Sequence, residues 1–415
     1  MTPWLFVFVI FLLFPGGLEA QECSEISAPL SPIQLLRRAS LDLRGHVPTA
    51  DELDELHGLD AADVQEASET RIDEFVRSDG FREVMQRAHR ELLWPNLSQV
   101  ELSPDTHMLS EGFVEPETGE FHAIYWSPLR GVFHRAILGD ILVPCKAEPA
   151  QYDDSGALIR EPVFDPLTDE LLHYREGYVE INPYWAPEQT IRVCALDAQN
   201  VESAPACVDA PERYPFLQPF CDQYEFFGEF LQPTPGDPVS CDSAGALLAP
   251  ECGCGPALER CNTQETRNTI EASMHAQQSR LLTRILDDDR PYFDLLTAPD
   301  LEINGPLAHY LRHQSRLGFD LMGTVGASTP VPDTPYVDTA WVPLLRGGRH
   351  SGVLTSIAYL LRFPTNRARA HRYYNAFECS SFIPSGPLPP PSSRDRSHSR
   401  SEASGPRVAS RDRLG

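Results

Sequence analysis

The amino-acid sequence predicts a mainly α protein, built of helical-bundle regions with a small β-hairpin and a disulfide-rich irregular insertion between them. Three observations carry this expectation. Apolar residues recur at helical spacing before residue 97 and after 262, strict alternation is confined to two short runs between 177 and 196, and seven of the ten cysteines crowd into 194–261. At 415 residues and 41% hydrophobic content the chain has material for real cores.

Residues 1–20 read as a secretory leader. Trp4 to Phe14 is an unbroken apolar run, too short to span a bilayer as a mature helix, and Ala20 offers a small residue for cleavage before Gln21. No Lys or Arg precedes the run, so an uncleaved anchor is the alternative. No lipobox precedes Cys23, and no later run approaches membrane length.

A helical domain is expected over 30–97. Ser31-Pro32 supplies an N-cap and a first-turn proline, and Thr49 with Glu52 forms a capping box in which hydroxyl and carboxylate each satisfy a free backbone donor. Two further helices carry Ile72, Phe75 and Val76, then Phe81, Val84, Met85, Ala88 and Leu92. Over 98–193 the periodicity fails, giving a mixed segment with short strands. Tyr178 to Ile181 and Ile191 to Leu196 alternate and pair as a hairpin.

The insertion 194–261 is rich in Pro and Gly and too poor in apolar residues to order itself, a situation that cross-links correct. Its composition makes disulfide candidates of Cys23, Cys145, Cys194, Cys207, Cys221, Cys241, Cys252, Cys254, Cys261 and Cys379. Seven in one stretch require at least one partner elsewhere: Cys145, Cys379 or Cys23. Paired Cys-x-x-Cys spacings are missing, which disfavours zinc.

Helical order is expected again over 262–382, beginning at Asn262 as cap with Glu265 completing the box and closing on the acidic run Asp287 to Asp289. Val353, Leu354, Ile357, Leu360 and Leu361 form one apolar stripe, ended by Phe363-Pro364. Thr365 then caps a last helix holding Ala370, Tyr373, Tyr374 and Phe377. The tail 383–415, a proline run followed by basic low-complexity sequence, is expected to be disordered.

Net charge of −26 excludes nucleic-acid binding, since a phosphate backbone would be repelled. The sequence carries no nucleophile elbow, zinc-protease motif, phosphate loop or dinucleotide fingerprint, so no catalytic residue is assigned. Weak candidates remain. His309 and His313 lie four apart, a spacing that could hold a metal, although no carboxylate partner is identified. Arg349, Arg367 and Arg369 with Thr355 and Thr365 form a candidate anion-binding set, against which stands a plain solvated basic surface. His350 suits a turn better than a general base.

Three phrases resemble a known family. Arg37 to Gly45 followed by Val47-Pro48-Thr49, then Arg290 to Thr297 with Asn304, Leu307 and Ala308, then Gly352 to Thr355 with Thr365, Arg367 and Arg369, are similar in wording and order to planctomycete and myxobacterial cytochrome-associated secreted proteins built from domains of unknown function. The resemblance implies export and, in that family, a Cys-x-x-Cys-His haem attachment after the proline run. This chain has no such motif, so no cofactor is expected, and a change of reading frame or a truncation near Pro391 is the reading of that difference. The expected function is an exported accessory protein of the bacterial cell envelope, with other envelope proteins as partners. Alternatives are a periplasmic redox component whose haem segment is missing and a hydrolase of envelope polymers.

Overall fold

A computed structural model describes residues 30–93, 97, 102, 107–115, 118–128, 137–138, 141–142, 144–164, 167–169, 171–205, 237–249, 251–317, 330–347 and 350–378. The leader, Cys23, Cys207, Cys221, Arg349, Cys379 and the tail lie outside them. The chain divides into two units between Met85 and Gln86.

The first unit is local helix chemistry. In α1 (Pro32–Arg44) Ser31 and Gln34 form a reciprocal capping box, and Gly45 at φ 77° ends the helix in the left-handed region that glycine tolerates. Thr49 and Glu52 cap α2 (Ala50–Asp54) the same way; α3 (Ala61–Val76) starts at Asp60. Leu36, Leu56 and Phe75 are its buried core. The Arg44 guanidinium lies 3.6 Å from the Phe75 ring centre and grips Glu52 through two bonds of 2.8 and 2.9 Å. That grip holds the Glu52 carboxyl down at about 2. α4 (Asp79–Leu93) follows and carries the chain across the division.

The second unit overturns the mainly α expectation. Described residues are 44% helical and 17% strand, so the protein is mixed α and β, with more strand than the one hairpin expected. β1 (Ser110–Val114), β2 (Phe121–Trp126), β7 (Tyr178–Ile181) and β8 (Ile191–Cys194) form a four-stranded sheet in the order β1-β2-β8-β7. The β7–β8 hairpin is the one read from alternation. β2 beside β8 is parallel, a long-range pairing. Two-stranded pieces are β3 (Ile137–Leu138) with β4 (Ile141–Leu142), β5 (Glu161–Phe164) with β6 (Leu171–Arg175), and β9 (Ser203–Pro205) with β10 (Pro238–Ser240).

Cross-links hold this half. Cys145–Cys194 spans 49 residues of sequence, Cys241–Cys252 spans 11 and Cys254–Cys261 spans 7, and all six sulfurs belong to fully buried residues. One partner of the insertion is therefore Cys145, outside it. Phe113, Ile124 and Trp126 pack on the first bridge.

The remaining elements build on α5 (Gln264–Asp287). Against it pack α6 (Asp294–Thr297), β11 (Asp300–Ile303), α7 (Gly305–His309) and α8 (Ile357–Arg362); β12 (Val342–Leu345) pairs with β11, and α9 (Asn366–Phe377) follows. Thr266, Ile270, Ser273, Met274, Gln277, Gln278, Leu281, Leu282 and Ile285 are buried along α5, the two-per-turn rhythm of a helix covered on one broad face. Ile270 and Met274 join Ile303, Leu307, Leu344, Ile357 and Leu360 in the largest core.

Three local expectations shift. α5 is capped by Thr263, not Asn262, because Thr266 at the third position returns the bond. Asn262 turns inward to Gln314 instead, at 3.0 Å. The 353–361 stripe is split: Gly352–Thr355 is a 3-10 turn, and Ser356 at φ −68°, ψ 152° caps α8. Thr365 caps α9 as expected, but no residue of α9 is fully buried.

Candidate binding groove on the central helix

Burying one face of α5 leaves a polar and small-residue face outward. Gln264, Glu265, Asn268, Thr269 and Ala272 are exposed on it, at the three- and four-residue spacing that aligns side chains along a helix. Facing them are Thr339 and Trp341, from the strap leading into β12, with Asn304 and Pro306 from the start of α7. Together these residues enclose an open groove of about 740 Å³.

Each wall is fixed. Arg280 lies over the Trp341 ring, 4.9 Å from its centre, and donates from Nε to Glu302 at 2.9 Å, so the indole is held by an ion pair on the neighbouring strand. Trp341 also packs against the largest core. Asn304 caps α7 through Leu307 N and donates to Ser273 Oγ at 2.9 Å. Gln264 donates to Asn268 across one turn at 2.8 Å, which orients both amides. Among the described residues, Glu265 is the only ionisable side chain lining the groove. The arrangement offers one aromatic plate, amide and hydroxyl groups in a row, and a floor of alanines. It is equipped to bind.

The histidine pair is brought together but closed in. α7 continues into a π-helical turn, Tyr310–Gln314, a local form often kept where a side chain must be re-aimed. His309 stacks on Tyr184, ring centres 3.7 Å apart and 16° from parallel, and its Nε2 meets Glu259 O at 3.0 Å. Burial, with His313 and Arg312 nearby, pulls the His309 imidazole down to about 3, so it is neutral. His313 Nδ1 stands 3.2 Å from Glu259 Oε2, the carboxylate that sequence reading lacked, and burial lowers its basicity too. Among the described residues no group of three His, Cys, Asp or Glu side chains is placed to hold a metal.

Three members of the candidate anion set have local partners. Thr355 Oγ1 accepts from Arg346 at 3.0 Å, and Thr365 Oγ1 accepts from Ala368 N. Arg369 bonds Asn366 on its own helix at 2.6 Å; Arg367 is exposed, and Arg349 lies outside the described residues. Arg346, just after β12, is buried beside them. It donates to Thr355 O at 2.7 Å and to Gly352 O at 3.2 Å, tying the 3-10 turn to β12, and burial lowers its guanidinium to about 10. His350 is buried in a turn, its amide bonded to Gly347 O.

Sequence reading followed the apolar stripe of α5 and passed over its opposite face. The signal available was Gln264, Asn268, Ala272 and Ala276 at successive steps of four; what no sequence shows is that Trp341 arrives beside them. No family model, curated protein or solved structure matches this chain.

Proposed function

We propose that this chain is an exported accessory protein of the bacterial cell envelope that acts by binding, through the groove on α5, in the company of other envelope components. The observation that carries the reading is the set of three buried disulfides, which fits an extracellular or periplasmic protein because such bonds persist where thiols oxidise. Among the described residues no helix is long and apolar enough to cross a membrane. The apolar run Trp4 to Phe14 supplies a route out, and the three family-like phrases support membership of the cytochrome-associated secreted proteins.

Binding is favoured over turnover because the groove gathers hydrogen-bonding and stacking groups around a single carboxylate, whereas hydrolysis of a glycosidic bond commonly needs two. Fusing residues 1–30 to a reporter enzyme that folds only after export tests the reading. Reporter activity in cells, lost when the apolar run is interrupted by Leu12→Arg, is the expected result; an inactive cytoplasmic fusion would contradict it.

A further inference from the structure

We propose that the α5 groove holds a neutral, extended β-linked saccharide chain, with Trp341 as its stacking plate and Gln264, Asn268 and Thr269 as the rail that reads its hydroxyls. This deepens, and rests on, the reading of the groove as a binding site. A pyranose ring presents a C–H face and a rim of hydroxyls that both donate and accept. An indole plate beside side-chain amides, each carrying a donor and an acceptor, complements both features.

Shape and charge narrow the ligand. From Gln264 to Ala276 the helix rises about 18 Å, the reach of a short straight oligosaccharide. Ala272 and Ala276 let a ring lie close to the helix along that length. Arg280 lies behind the indole and pairs with Glu302, so among the described residues Glu265 is the only charge lining the groove, on a chain of net charge −26. Polyanions, including uronate and phosphate polymers, are therefore repelled. A peptide added as a strand is also disfavoured, because the wall is a helix whose backbone bonds are internal and offers no sheet edge. The amides are already oriented by the Gln264–Asn268 bond, so little ordering remains to be done on binding.

Calorimetry on the oxidised full chain tests this, with cellohexaose and the N-acetylglucosamine hexamer as probes and a proline decamer and oligogalacturonate as counter-probes. At least one neutral hexamer should bind with Kd between about 1 µM and 1 mM. Ala272→Arg, an exposed position where arginine keeps helix propensity, should weaken it by about tenfold or more with an unchanged melting temperature. Trp341→Ala should also weaken binding by about tenfold or more, with some loss of melting temperature because the indole packs on the core, and Trp341→Phe should recover part of both. Failure of both hexamers to bind, indifference to both Ala272→Arg and Trp341→Ala, or preference for the proline peptide or the anionic oligomer overturns the proposal. Those outcomes leave export standing, since the disulfides and the reporter fusion are read separately.

Discussion

Two neighbouring stretches of the second unit solve the same problem with different materials. Around Cys241–Cys252 the core among the described residues consists of Ala204, Val239, Ala246, Ala249, Leu317 and the two half-cystines, two large aliphatic side chains among them. Around α5 the core contains Leu97, Leu102, Ile270, Met274, Ile303, Leu307, Leu311, Leu344, Ile357, Leu360 and Leu361, and no sulfur bridge. Apolar burial is proportional to area, so the first stretch gains little from it and relies on constraints that raise the free energy of the unfolded chain. The second needs none. The lesson is that order here has two independent sources, and each can be removed without the other.

The largest effect should come from the longest bridge. Replacing both Cys145 and Cys194 by Ser frees a loop of 49 residues, and chain-entropy reasoning puts the cost at about 4 kcal/mol. Denaturation of that variant should become insensitive to reductant at this bridge while the α5 core keeps its protection from hydrogen exchange. Met274→Ala should do the opposite. It is fully buried, and its loss costs about 3 kcal/mol in urea titrations run with or without reductant.

A third bridge meets the α5 half at His309, whose ring contacts the carbonyl of Glu259 inside the Cys254–Cys261 loop. Its imidazole is held far below the ordinary 6.5, at about 3, chiefly by burial. The folded state thus favours the neutral ring, and its contribution is complete above pH 6.5 and lost as pH falls toward 3. Stability should drop over that window, and His309→Gln should flatten the drop in a pH series of urea midpoints. A smaller effect belongs to the first unit, which has few large core residues and uses an ion-pair clasp. Glu52→Gln should cost about 2 kcal/mol at pH 7 and almost nothing near pH 2, because the clasp's contribution is present above the ordinary carboxylate value and disappears as pH falls through about 2.

Local chemistry was legible and distant pairing was not. Ser31, Thr49, Glu52 and Thr365 cap their helices as expected because a cap involves residues three apart, and Gln34 completes the first box. The β7–β8 hairpin was visible in its alternation. β1 was hidden because Gly112, at φ 75°, shifts the register between Glu111 and Phe113 and so breaks the alternation, and β5 contains Pro162. β2 finds its parallel partner about 70 residues away, a relation no spacing encodes. The histidine pair was found by its spacing, but its burial against Tyr184 was not, and the groove was missed because Trp341 and α5 are far apart in sequence. These omissions turned a mixed α and β protein into a mainly α expectation.

The most direct measurement is peptide mapping of the exported chain, digested without reduction after alkylation of free thiols. Three linked pairs should appear, Cys145 with Cys194, Cys241 with Cys252 and Cys254 with Cys261. Alkylated, unpaired thiols at these six positions would show that the middle of the chain is ordered by something other than covalent constraint, and that the oxidising compartment had been wrongly assigned.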